Sequence, residues 1–500
     1  MTIKKLLTSG GLLALLAVAG LGTSSCKKDF IDLNDPTRQA SSLGYTDSLS
    51  IVTGITAAYA SLQDLYGKSG SSRGVFIFGE IPSDNSYTVT SGERLNEFDS
   101  FTLLSDNPRL QSQWVSTYQT IARCNIILNR ADNIKLTTAT RNRFYGEVRF
   151  IRALTYFNAV RTWGDVPLVT TEITSIADAY TFGRKPAADV YKLIEDDLAF
   201  AENNLPATQT AANLGRATKG AAQGLLGKVY LTEKKYSAAA AKLKAVIDAN
   251  NYALQATYAN IFSTSNELNS EILFAVRYSK GGLGVGSPFT VWFMPAYTSA
   301  QSTALLGVAY TGQQFNTVDP DLVAAFATSG STDVRAATSC VLPTGAASYY
   351  TRKYIDTPTT STDAENDWIV LRYADVLLLY AEAVNESTGP DALSLDAVNR
   401  VIRRSRGLSV ATATPTVDLP ASTTQTSLRT RLETERRLEL SFEGHRWFDL
   451  VRTGRALDVM NAFFTKNNAT TRIDAHNLIF PLPVQEIQTN PILTQNPGYL

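Results

Sequence analysis

Apolar residues recur at helical spacing along most of this chain. Ile51, Ile55, Ala58, Leu62 and Leu65 share one face and predict a helix over 49–65. Trp114, Tyr118, Ile121 and Ile127 predict another over 110–131, and a third covers 142–160. The third stops at Trp163-Gly164-Asp165-Val166-Pro167, where Gly and Pro end the regularity. A fourth, over 186–205, is bracketed by prolines. Residues 221–250 then carry two helices broken at Glu233, Lys234 and Lys235. Leu226, Gly227, Tyr230, Ala239 and Leu243 fall there at tetratricopeptide spacing, with the small residues letting the helices approach. A weaker echo runs over 373–404, with Leu379, Ala383 and Ala392. Such pairs cannot bury their faces alone and need neighbours.

The intervening stretches lack this period. Residues 67–107 are rich in Gly, Ser, Asn, Thr and Asp and read as irregular. Residues 271–276 suit a short strand, and 279–303 turn to Gly, Ser and aromatics. No Gly-Lys-Ser/Thr follows those glycines, so they are not a phosphate loop. The tail from Ile479 is extended and proline-locked. The pattern predicts a mainly α chain of helices and long loops, with a tetratricopeptide-like pair and one short strand.

One stretch mixes charge and bulk. Between Glu435 and Arg455, Glu439, Glu443, Asp449, Arg436, Arg437, Arg446 and Arg452 are threaded with Leu438, Leu440, Phe442, Trp447, Phe448, Leu450 and Val451. A helix and turn with buried, paired charges accounts for both. Glu439 and Glu443, Glu443 and Arg446, and Asp449 and Arg452 have spacings that share a helical face. Arginine suits such pairing because its planar fork meets a carboxylate twice. A catalytic His445 between Glu443 and Arg446 is the competing reading.

Composition narrows the function. Lys+Arg and Asp+Glu balance at 46 each, so no basic field exists to hold nucleic acid. With 2 His and 3 Cys, a His/Cys metal site is poorly supported, and neither metal nor cofactor is expected. Cys124 sits in an apolar helical pattern and reads as a buried thiol. At the start, Lys4 and Lys5 precede an apolar run over 11–21 that is too short to span a bilayer. Thr23, Ser24, Ser25 and Cys26 follow, which makes this an export segment ending at a cysteine. Five segments result: a signal peptide over 1–25, a tether over 26–48, a helical region with a loop insertion over 49–215, the repeat pair over 216–250, and a C-terminal region over 251–500.

Aromatic platforms beside a few polar groups in a loop suit a ligand with flat C–H faces and a rim of hydroxyls. Two loop tracts qualify: Asp84, Asn85 and Tyr87 with Arg94, and Trp292, Phe293 and Tyr297. The alternatives are a turn-capping Asp84 and core aromatics filling a Gly-rich loop. Tyr349 and Tyr350 are a weaker candidate pair.

Several pieces together carry a family resemblance. They are Cys26; Arg149 to Leu168; Arg216-Ala-Thr-Lys-Gly with its repeat; Leu371-Arg-Tyr-Ala-Asp to Ala383; Asn399-Arg-Val-Ile-Arg-Arg; Glu435 to Arg455; and Phe480-Pro-Leu-Pro to Tyr499. In this order they resemble the SusD/RagB family of outer-membrane nutrient-uptake lipoproteins, over nearly all the mature chain. The signal resembles a bacterial lipoprotein signal of Bacteroidetes type, which implies a lipidated (palmitoylated) Cys26, although Thr23 stands where such signals usually carry Leu. The resemblance implies a mainly α fold, a tetratricopeptide-like helical-repeat bundle with a packed loop-rich region and a few short strands, and a binding protein on the cell's outer membrane. It would capture an oligosaccharide, or alternatively a peptide, as the lid of a SusC-like TonB-dependent barrel. It also makes Arg149, Arg152, Asp165, Arg372, Asp375, Glu382, Glu439 and Glu443 architectural, with Arg446 in the same ion network. A glycoside hydrolase and a pure scaffold are the rival classes.

Overall fold

Helical periodicity is realised as a chain of packed helices. The computed structural model describes residues 45–499, apart from 69, 71–73, 90–92 and 331. Signal segment 1–25 and Cys26 therefore lie outside the described residues. Among the described residues the packed helices include α1 (Ser48–Tyr66), α2 (Pro108–Arg130), α3 (Thr138–Trp163), α4 (Ala187–Asn204), α5 (Lys219–Thr232), α6 (Tyr236–Asp248), α7 (Tyr373–Ser387), α8 (Ala392–Ser405), α9 (Gln425–Glu439), α10 (Arg446–Arg452) and α11 (Ala456–Lys466). They pack α1 on α2, α3 on α4, α5 on α6 and α7 on α8, with α2–α3, α4–α5, α6–α7 and α7–α9 contacts joining the pairs. The repeat evident in α5/α6, and faintly in α7/α8, thus extends over four pairs.

Local chemistry sets the breaks. Asp47 and Ser50 form a capping box that starts α1. Lys234, at φ +61°, turns the chain between α5 and α6. A Cβ on Gly227 would lie 2.6 Å from Leu243 Cγ, so this glycine is what lets α5 and α6 touch. Gly164 closes α3 at φ +70°.

Among the described residues, six short strands make three two-stranded antiparallel ladders. β1 (Ser86–Tyr87) pairs with β5 (Thr317–Val318), β2 (Val166–Pro167) with β3 (Arg184–Lys185), and β4 (Ile272–Val276) with β6 (Trp368–Arg372). β4 fulfils the expected strand.

Three expectations need correction. Irregular stretch 67–107 contains short helices at Phe76–Gly79 and Asn96–Asp99. The aromatic tract over 279–303 holds Phe289–Phe293 and the start of Ser299–Leu306. The tail is interrupted by a helix at Val484–Thr489. The first two tracts meet in an aromatic core. Phe76 meets Phe293 edge-on at 4.9 Å, Phe289 meets Trp368 at 4.9 Å, and Tyr354 stacks on Trp368 at 5.2 Å. Ring burial, not helical period, orders these loops.

Candidate functional site

The charged stretch is a buried hub. Helix α9 ends at Glu439; the chain then turns through Phe442 at φ +65° and Gly444 at φ +77° before α10. Glu439 and Glu443 therefore do not share a helical face as their spacing suggested, yet both reach Arg372. Its Nε donates to Glu443 Oε2 at 2.7 Å and its Nη2 to Glu443 Oε1 at 2.9 Å, while Nη1 serves Glu439 and Glu271. Arg404 joins Glu271 to Glu439, and Arg335 joins Asp333 to Glu435 and Glu439. Lys353 donates to Glu443 Oε1 at 2.8 Å and to Ser441 O at 2.6 Å. Burial alone would raise the Glu443 carboxyl, but Arg372 and Lys353 hold it below its usual range.

Other expected pairs hold only partly. Asp449 and Arg452 pair at 2.8 Å, and Arg452 also grips Glu382. Arg152 meets Asp197 with two hydrogen bonds of 2.8 and 2.9 Å. Arg446 does not pair with Glu443; it turns to Asp84, at 2.7 and 2.9 Å. Arg149 is not buried: it lies over the Phe200 ring, 3.9 Å from Asp197. Asp165 is exposed and caps α4 by accepting from Ala187 N. His445 accepts a contact from Lys228 Nζ at 3.0 Å, and Lys228 also pairs with Asp375 at 2.8 Å. Burial, and then Lys228, push the His445 imidazole down to about 3, which keeps it neutral inside the hub.

The expected ligand residues mostly face inward, and this corrects their assignment as contact groups. Trp292 and Phe293 are 1% and 2% exposed in the aromatic core, and Tyr297 is buried against Tyr350. Asp84 and Asn85 are buried beneath the loop they were expected to decorate. Burial would raise the Asp84 carboxyl, but Arg446 and Arg437 bring it down to about 2. Asn85 donates to Glu80 and accepts from Arg437 Nε at 2.9 Å. Arg94 is half-buried and engaged with Glu97 and Asp106. Glu80, Lys353, Glu271 and Arg335 escaped the sequence reading because most of their partners lie far along the chain, as do the partners of Arg437.

Tyr87 alone keeps a half-exposed ring on a strand. The two tracts are tied to each other by the backbone of residues 313–318. Tyr87 sits opposite Thr317, and Val89 N donates to Gln314 O at 3.2 Å. Gln313, Gln314 and Phe315 donate their amides to Val291, Met294 and Trp292. Gln314 Nε2 reaches Ser348 Oγ at 3.1 Å, next to half-exposed Tyr349. Half-exposed Tyr310 donates to Thr359 O at 3.2 Å. Backbone and side-chain hydrogen bonds thus link the segments of Tyr87, Val89, Gln314 and Ser348, while Tyr349 and Tyr310 are half-exposed neighbours in sequence of Ser348 and Gln314. Aromatic faces and amide groups above a rigid core are the chemistry that holds a sugar.

Comparison with known proteins agrees in kind. A model of the SusD family matches residues 307–499, and a second, described as starch-binding associating with outer membrane, matches residues 29–231. "SusD-like protein P25" of Formosa agariphila is 30% identical over 431 residues, covering 77% of this chain and 79% of that protein. A solved "Laminarin binding SusD-like protein" is 28% identical with a TM-score of 0.76, covering 91% of this chain and 100% of that one. A SusD homolog from Bacteroides thetaiotaomicron is 25% identical with a TM-score of 0.80, covering 93% and 99%.

Proposed function

The chain belongs to the SusD family of glycan-binding proteins, and from that premise we propose that it is a surface lipoprotein that captures an oligosaccharide without cleaving it. Cys26 would carry the lipid anchor that holds it to the outer membrane, and a SusC-like TonB-dependent barrel would receive the cargo. A peptide is the alternative cargo.

The observation that carries this reading is the loop surface around Tyr87, built on a helical scaffold like that of a laminarin-binding relative. A half-exposed Tyr87 ring would offer a stacking face, and Gln314, on a segment bonded to the same strand end, and its partner Ser348 would offer hydroxyl partners. The non-enzymatic reading draws on the hub. Its carboxylates Glu271, Glu439 and Glu443 are each committed to buried cations, and His445 is held neutral against Lys228. Neither arrangement leaves a free acid–base pair beside a bound sugar.

The test is incubation of the purified protein with a panel of β-glucans, starch oligosaccharides and peptides. Saturable binding of a glycan without product release supports the reading. Sustained release of shorter sugars would replace it with a hydrolase, and binding of peptides alone would change the cargo. Metabolic labelling with radioactive palmitate, lost in Cys26→Ala, tests the anchor.

A further inference from the structure

The ladder beneath Tyr87 is too small to hold itself. β1 and β5 share only two residue pairs, Ser86 with Val318 and Tyr87 with Thr317. Isolated two-stranded ribbons of any length are marginal in water. Something outside the ladder must fix the angle at which it presents the Tyr87 ring.

Arg437, from the last turn of α9, reaches the base of both strands. Its Nε donates to Asn85 Oδ1 at 2.9 Å, and its Nη2 donates to Asp84 O at 2.8 Å. Those two residues directly precede β1. The same Nη2 lies 2.9 Å from Asp321 Oδ2, at the start of the helix that follows β5. Asp319 N closes the base by donating to Asn85 O at 2.9 Å. We propose that Arg437 is the positioning residue of the glycan surface: it clamps β1 to β5 from below and sets the Tyr87 ring without touching ligand. This rests on the reading of that surface as the glycan site.

The surroundings make the clamp separable from folding. If Arg437 is removed, Asp84 keeps its two-bond pair with Arg446, and Asp321 keeps Lys466. Neither carboxylate is stranded, so the hub survives; what goes is the side-chain brace from Arg437, which leaves Asn85 Oδ1 without its donor and the strands joined by the two-pair ladder and the Asp319 N–Asn85 O bond. Lysine would restore the charge but not the planar fork that spans Asn85, Asp84 and Asp321 at once.

The test compares Arg437→Met and Arg437→Lys with the parent by glycan titration, thermal melting and amide exchange. Arg437→Met is expected to fold with a melting point close to the parent's. It should bind the parent's preferred glycan about tenfold more weakly, because ordering the loop now falls on binding. Amides over 86–89 and 314–318 should exchange faster, while those of α5 and α6 stay protected. Arg437→Lys should fall between. Unchanged affinity and unchanged exchange over those segments would overturn the proposal. If the methionine variant does not fold, the lysine variant decides by the same readings. If the parent binds no glycan, the function proposed above fails on its own, and the exchange comparison still judges the clamp.

Discussion

Glu443→Ala is the sharpest probe of the hub. Glu443 accepts three charge-assisted hydrogen bonds, from Arg372 Nε at 2.7 Å, Arg372 Nη2 at 2.9 Å and Lys353 Nζ at 2.8 Å. All three residues are essentially inaccessible to solvent. Truncation leaves Arg372 with Glu439 and Glu271 but leaves its Nε without an acceptor and its Nη2 with Glu439 O alone, and it leaves the Lys353 ammonium with backbone carbonyls only. Breaking one partner of a buried pair costs about 3–5 kcal/mol. Unfolding entropy near 2.1 cal/mol/K per residue, over roughly 450 ordered residues, is about 1 kcal/mol per degree, so melting should fall by about 4 °C. The Glu443 carboxyl is held below its ordinary value, so its contribution is complete above the unfolded value of 4.5 and is lost as pH falls through the folded one. Calorimetry of parent and variant at pH 7 and at progressively lower pH measures both effects. A variant that melts with the parent at pH 7, or a gap that does not shrink in acid, would refute the buried-pair reasoning.

Other consequences follow from single contacts. Glu80 is fully buried, and it accepts from Phe442 N at 2.9 Å and from Gly444 N at 3.1 Å. Burial raises its carboxyl from 4.5 to about 7, so the folded state binds the proton more tightly and stability should decline as pH rises between those values; Glu80→Gln should flatten that slope in a melting-versus-pH series. Gly227→Ala should lower stability by about 1–3 kcal/mol in denaturant titration, since the added carbon meets Leu243 Cγ at 2.6 Å. Trp292→Ala should cost about 3–5 kcal/mol of stability, as for a core ring; a stable variant that merely lost ligand would return Trp292 to the site.

Helices with one apolar face were legible in the sequence because their period survives whatever they pack against. The α5/α6 repeat was legible because Gly227 and Ala239 must be small where helices touch. The charged stretch was recognisable as a buried network, but its spacing misassigned two contacts. Chain reversal at Phe442 and Gly444 ends the helix, so Glu443 points at Arg372 and Lys353, and Arg446 is free to take Asp84. The loop tracts were hardest. Asp84 and Asn85 look like ligand groups in a polar loop, yet their partner Arg437 lies more than 300 residues away, and nothing local announces it. Trp292 and Phe293 read equally as platform or core, and only the meeting of their segment with Phe76 and Trp368 decides for core. Tyr87 remained at the surface because the residue pair before it absorbed the anchoring.

The central claim is that this loop surface binds a glycan through Tyr87. Its most direct test is isothermal titration of a panel of oligosaccharides, β-1,3-glucans among them, into the parent and Tyr87→Ala. The parent is expected to bind at least one glycan saturably. Tyr87→Ala should bind it about tenfold or more weakly, at an unchanged melting point. Equal affinity in the two proteins, or no glycan bound by the parent, would contradict the claim.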